Sequence, residues 1–189
     1  MISENEKLLV TALQQDDQSA MKTIFQNYHA GLCRVSFKIT GDSDTAKDVV
    51  QDVFLKLWQN RKSLNIQVSL EFYLKRAVVN TTLNVLERTK RKSSLETIDI
   101  DSVTIPLNVV EQTQNAQELS KKIDEVIQAL PPRTKAVFTL IRFDEMSYRE
   151  AAESLQISVK AVEKEMMKAL NSLRQALKDY LPLFIILFL

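Results

Sequence analysis

The chain has 189 residues, with 25 Lys+Arg against 24 Asp+Glu and a formal charge of +1. Two glycines and four prolines, set against the ~12% Gly+Pro of average chains, leave too few turn formers for an all-β sandwich or a glycine-built phosphate loop. One cysteine, Cys33, and one histidine, His29, exclude an internal disulfide, leave a metal site without a ligand set, and give an enzyme no nucleophile–base pair. No cofactor or small-molecule substrate is expected, and the lone thiol fits a reducing cytosol. Taken in chain order, Ala20, Ile24, Phe25, Tyr28, Leu32 and Val35 recur at helical spacing, and Gly41-Asp42-Ser43 marks a turn. Ala46, Val49, Val50, Val53, Phe54, Leu57 and Trp58 then form the strongest amphipathic pattern in the chain. A polar stretch near 59–69 precedes a helix expected over about 70–90. That helix is apolar on two sides, with Leu74, Ala77, Val78 and Val85 on one and Phe72, Val79, Leu83 and Leu86 on the other.

Residues 93–118 lose the periodicity, contain Pro106 and read as a linker. Helices resume with Leu119, Ile123, Val126, Ile127 and Leu130, stop at Pro131-Pro132, and restart with Val137, Phe138, Leu140 and Ile141. Ser147-Tyr148-Arg149-Glu150 is a capping box opening a short alanine-rich helix that ends near Gln156-Ile157. Ser158 is placed to cap a longer helix with Val159, Val162, Met166, Ala169, Leu170, Leu173 and Leu177 facing inward. Two helices separated by about three residues fit a helix-turn-helix. Its outward face carries Lys160, Lys164 and Lys168 beside Met167, and such a face can neutralise phosphates while its first residues meet base edges. Glu163 and Glu165 weaken a reading based on phosphate contacts alone. The fold expected is all-α, two small helical domains joined by a flexible linker, the second containing the helix-turn-helix.

Charge splits by segment. Residues 1–74 carry 8 basic and 9 acidic groups, 75–92 have a net of +5, 93–118 a net of −5, and 119–189 a net of +2. The neutral total therefore hides segments suited to different partners.

Two blocks carry a family resemblance. Ala46-Lys47-Asp48-Val49-Val50-Gln51-Asp52-Val53-Phe54-Leu55-Lys56-Leu57-Trp58 resembles domain two of bacterial RNA polymerase sigma factors, and Phe72-Tyr73-Leu74-Lys75-Arg76 through Asn80 to Arg88–Lys92 resembles the element after it. Ala129-Leu130-Pro131-Pro132-Arg133, Ser147-Tyr148-Arg149-Glu150-Ala151-Ala152 and Leu155-Gln156-Ile157-Ser158 resemble domain four. Order and separation are similar to the small extracytoplasmic-function (ECF) type of the sigma-70 family. The resemblance implies domain two over 1–92, an acidic linker over 93–118, domain four over 119–180 and an apolar tail over 181–189.

It also implies a function: binding core RNA polymerase, directing it to −35 and −10 promoter elements, and helping to open the −10 region. Asp48, Gln51, Asp52 and Leu55 match positions that bind the β′ clamp helices, where carboxylates pair with basic groups. The 61–70 loop and the helix after it would hold unstacked −10 bases, through Tyr73, Lys75, Arg76, Asn80, Asn84 and Arg88. Tyr73, Arg76, Asn80 and Glu87 share one helical face. Arg149, Ser158, Lys160, Glu163, Lys164, Met167 and Lys168 would meet the −35 element, with domain four also on the β flap. The linker's 26 residues reach ~86 Å extended, enough for elements ~70 Å apart; the segment would thread through polymerase, its acids along basic walls. An anti-sigma factor is a further implied partner. The location implied is cytoplasmic, with tethering at the membrane through that partner as an option.

Four positions depart from the family pattern: Gln156 where glycine is common, Ala151 for a usual isoleucine, Glu163 where basic residues are frequent, and Asn84 for a frequent aspartate. The tail LPLFIILFL over 181–189 would extend ~14 Å as a helix against a ~30 Å hydrocarbon core, and no signal peptide is expected. Packing within the protein, docking to an anti-sigma factor and contact with a membrane surface remain open for it. Two rival functions also stay open: a stand-alone helix-turn-helix regulator, and an adaptor for polymerase or an anti-sigma factor without promoter recognition.

Overall fold

The computed structural model describes residues 2–93 and 114–178; the central part of the acidic linker and the apolar tail lie outside the described residues. Helix α1 (Glu4–Gln14) opens on a capping box in which Ser3 Oγ accepts from Glu6 N–H and the Glu6 carboxylate accepts from Ser3 N–H. Apolar periodicity beginning near 19 does not report this helix, although Ser3-Glu4-Asn5-Glu6 does. Asp17 caps α2 (Gln18–Thr40), which stops at Gly41 in the left-handed region, φ 75°. Asp42 then accepts from Thr45 N–H at 2.8 Å and starts α3 (Ser43–Gln59). A 3-10 turn at Arg61–Ser63 and an extended stretch lead to α4 (Leu70–Ser93). Glu6 reaches across to accept Leu70 N–H at 2.8 Å, so one carboxylate serves the first turns of α1 and α4.

Leu13, Ile24, Leu32, Val50, Leu74 and Val78 are fully or almost fully buried and make one core from the first four helices. The second group comprises α5 (Gln114–Ala129), α6 (Pro132–Arg142), α7 (Tyr148–Leu155) and α8 (Val159–Ala176). Helix α5 begins five residues before the 119 boundary read from the sequence. Its first turn, Gln114-Asn115-Ala116-Gln117, has one apolar residue, so hydrophobic spacing could not mark it. Pro132 occupies the first turn of α6, where its missing N–H costs no helical bond. Among the described residues there is no strand.

The two groups share a core. Val35, Ile39 and Val79 lie in the same buried cluster as Ile127, Leu130, Val137, Leu140, Met166 and Ala169. Phe72, Leu83 and Leu86 pack against that cluster from α4. The two apolar sides of α4 are thereby explained: Leu74 and Val78 face the first core, while Val79 and Phe72 face the second group. The approach is close at Gly41, where a Cβ would stand 2.9 Å from Gln128 Oε1 of α5.

Two residues of α8 expected inward, Val159 and Leu170, are each 40% exposed. Val162, Met166 and Ala169 make the buried line. Leu170 sits about 100° round the helix from Ala169, beyond the edge of that line. Phe25 is likewise exposed on α2, with its ring stacked on His29 at 4.4 Å between centroids.

Candidate nucleic-acid interface

Helix α3 divides cleanly. Val49, Val50, Val53, Phe54 and Leu57 are buried, whereas Asp48, Gln51, Asp52 and Leu55 all face solvent, Leu55 at 53% exposure. An exposed leucine among carboxylates offers apolar area and charge to one partner surface. Beside it, a cleft of about 620 Å³ between α2 and α3 is lined by Phe25, His29, Cys33, Arg34, Lys47 and Gln51. Cys33 Sγ lies 3.6 Å from His29 Nε2. Burial pushes the Cys33 thiol up, only partly offset by Lys47, so it stays protonated near neutral pH and is a poor nucleophile. Among the described residues, no group of three or more His, Cys, Asp or Glu is arranged to hold a metal ion.

The stretch after the 3-10 turn lies alongside α4, and together they enclose a second cleft of about 500 Å³. Gln67, Val68, Tyr73, Arg76 and Asn80 line it, together with Glu153 from α7. Tyr73, Lys75, Arg76 and Asn80 are half-buried, while Asn84 and Arg88 farther along α4 are exposed. Both N–H donors of the Asn80 amide are engaged, to Arg76 O and to Ser154 O, each at 2.9 Å. Lys75 Nζ sits between Glu71 Oε1 at 2.9 Å and Asp144 Oδ1 at 3.0 Å. Burial works to lower the Lys75 pKa, but the two carboxylates outweigh it and hold the ammonium above the ordinary lysine value. Three of the six residues of this face, Tyr73, Arg76 and Asn80, thus line one cleft.

In the helix-turn-helix, Ser147 Oγ accepts from Glu150 N–H at 3.2 Å, and Glu150 accepts from Ser147 N–H at 2.8 Å. Ala151 and Ala152 are buried at the crossing with α8, where a larger side chain would separate the helices. Gln156 supplies the turn with φ 54° and ψ 43°, doing at some steric cost what glycine does freely. Ser158 Oγ accepts from Ala161 N–H at 3.1 Å and caps α8. Arg149, Ser158, Lys160, Glu163, Lys164, Met167 and Lys168 are all exposed, Met167 at 63%. Glu165 is turned inward instead: its carboxylate accepts from Thr134 at 2.6 Å and Lys168 at 2.7 Å. Burial would raise the Glu165 pKa, but these bonds prevail and hold it below the ordinary value.

Sequence reasoning named neither Asp144, Glu153 and Ser154, which the second group brings to the polar residues of α4, nor Phe143. Nor did it name Lys38, whose ammonium stands 3.2 Å over the Phe143 ring. The signal was the second apolar side of α4, which implied a partner without saying which loop would bring it.

The sequence matches the family model for sigma-70 region 2 over residues 24–92 and that for sigma-70 region 4 over 120–173. Together these span about two thirds of the chain. The chain is 25% identical over 181 residues to the ECF RNA polymerase sigma factor SigW of Bacillus subtilis, covering 92% of this chain and 97% of that protein. It is 22% identical to the RNA polymerase sigma-H factor of Pseudomonas aeruginosa, covering 96% and 98%. In fold it is similar to the sigma factor RpoE from Bartonella quintana solved with the anti-sigma factor NepR, with a TM-score of 0.66, 19% identity and coverage of 87% and 98%. A second likeness is to CnrH solved with the cytosolic domain of CnrY, with a TM-score of 0.64, 19% identity and coverage of 92% and 97%. With both regions in order and the predicted helices in place, the chain belongs to the sigma-70 family, as a transcription initiation factor of the ECF type.

Proposed function

We propose that the chain docks core RNA polymerase through Asp48, Gln51, Asp52 and Leu55 and holds the opened −10 strand in the cleft of Tyr73, Arg76 and Asn80. Lys75, Asn84 and Arg88 extend that face as a basic and amide track, and α8 presents Lys160, Lys164 and Lys168 to the −35 duplex. The work is binding rather than chemistry: bases leaving the stack need a pocket, a stacking ring and cations for their phosphates. The observation that carries the reading is the cleft itself, about 500 Å³ with Tyr73, Arg76 and Asn80 on its wall, on the same chain as a capped helix-turn-helix. A stand-alone regulator would have no use for that cleft or for the exposed acids of α3.

The solved relatives held by anti-sigma factors support such a partner here, and tethering at a membrane would come from it. No described helix is long and apolar enough to cross a membrane. The reading is tested by run-off transcription with core polymerase on promoter fragments that the reconstituted holoenzyme recovers from a random library. One template set is closed and the other carries a permanent bubble at the −10 region. Transcripts from both are expected. Failure on both, with core binding intact, would favour the adaptor.

A further inference from the structure

We propose that the apolar segment 181–189 seats in the cleft between α2 and α3, covering apolar wall that the first four helices leave open. The cleft volume is about 620 Å³, inside the ~300–1,000 Å³ range of pockets that enclose apolar ligands. Phe25, Ala30, Cys33, Phe37 and Ala46 give it an apolar wall, and Phe25 is 42% exposed. Its cations do not call for an anion. Lys47 is already paired with Asp44 at 3.1 Å, and Arg34 is exposed to water. The segment LPLFIILFL has no charged or polar side chain, and left in water it would be an aggregation hazard. Each surface therefore has apolar area that the other can cover.

The segment is also within reach. The described chain runs to Lys178, and Leu177 before it is buried. Leu173, one turn earlier, packs against the cluster that contains Val35 and Ile39 of α2 and Ile127 of α5. Cys33 and Phe37, which line the cleft, stand two residues either side of Val35, about 160–200° round the helix. The last turns of α8 and the cleft thus flank opposite faces of α2, a helix ~10–12 Å across. Ser43, also on the cleft wall, follows closely on Gly41, where Gln128 of α5 comes near. Residues 179–189 span up to ~36 Å when extended, about three helix diameters. So short a tether holds the segment at an effective concentration on the order of 1 mM. Even a weak seat, with a dissociation constant of ~0.1 mM, is then filled in about nine molecules of ten. A partner from solution lacks that advantage. Gln51 belongs both to the cleft and to the face proposed for polymerase, so the seated segment borders that interface.

The test uses Cys33 as reporter, since it is the single thiol of the chain and part of the cleft wall. Its rate of reaction with an aromatic disulfide reagent (DTNB) is measured at one pH on the purified full-length chain, without lipid, detergent or partner. Phe184→Asp and Ile186→Asp each place a charge in the segment. Leu8→Asp, at a position 64% exposed on α1, is the control. Access to the thiol scales with the fraction of molecules whose cleft is empty, so both segment variants should react about tenfold faster than wild type. The control should keep the wild-type rate, and that rate should not depend on protein concentration. Circular dichroism identifies a variant that fails to fold, and the other variant then decides. Folded segment variants that react no faster than wild type would overturn the proposal. Protection that grows with protein concentration would overturn it as well, by making a second copy of the chain the occupant.

Discussion

The outward faces of α3 and α4 carry the two proposed binding surfaces of one small helical unit, and they are in opposite states. On α3 every residue assigned to polymerase is exposed. On α4 the residues nearest the cleft are half-buried, and Lys75 and Asn80 are bonded to the second group. The difference originates in sequence. Helix α3 has one apolar stripe, so its other face has nothing to pack and remains open to a partner. Helix α4 has two, and the second stripe recruits α5–α8 onto the flank of its polar residues. The face proposed for polymerase is thus exposed, whereas part of the face proposed for the −10 strand is already in contact with the second group.

Core substitutions break this comparison most severely. Leu74 is fully buried among the first four helices, so Leu74→Ala should cost about 2–5 kcal/mol and remove polymerase and DNA binding together. Leu140 is as deeply buried in the shared cluster. Leu140→Ala should cost a similar amount, yet leave the α3 face able to bind polymerase; chemical denaturation and a core-binding assay separate the two. Next in size are Arg76→Ala and Asn80→Ala. A lost base or phosphate contact should lower promoter opening roughly 10- to 100-fold, with core affinity within about twofold. Equal loss of core binding would assign these residues to folding instead. Asp52→Arg should weaken core binding about tenfold, or ~1.4 kcal/mol, and leave strand binding by the free chain unchanged.

The smallest effects concern local caps and pH. Ser147→Ala should cost about 1 kcal/mol, read as a lower unfolding midpoint. Bonds from Ser147 hold Glu150 below its ordinary value of 4.5, so this box stabilises fully above that pH and loses its contribution as pH falls through the depressed value. Lys75 runs the other way. Its raised pKa keeps the contribution of the Lys75 ion pairs complete below the ordinary 10.5 and lost only as pH rises beyond it. Strand binding by the free chain should therefore not change between pH 6 and 8 on account of Lys75.

Much of this arrangement was legible in the sequence where a local rule governs. The capping box at Ser147, the cap at Ser158 and the stripe of α3 depend on residues three or four apart, and each is present in the structure. Gln156 shows the limit of such rules, since the turn needs a left-handed residue and tertiary packing imposes it on glutamine. Helix α1 was missed because Leu8, at 64% exposure, blurs its apolar face. Phe143 and Asp144 were out of reach for another reason. Both lie in the α6–α7 turn, whose partners Lys38 and Lys75 come from helices about 70–105 residues earlier in the chain. No periodicity encodes such a pairing. It follows only once the second stripe of α4 has found something to bury it.

The most direct test is the distance between the two helical groups, measured by fluorescence energy transfer in a Cys33→Ser background. Single labels at Lys56 on α3 and Asn171 on α8, both exposed positions, report it without touching either proposed DNA surface. The account predicts one high-transfer population in the free protein and a shift to low transfer when core polymerase is added, before any DNA is present. High transfer that persists in the polymerase complex, or low transfer in the free protein, would contradict it.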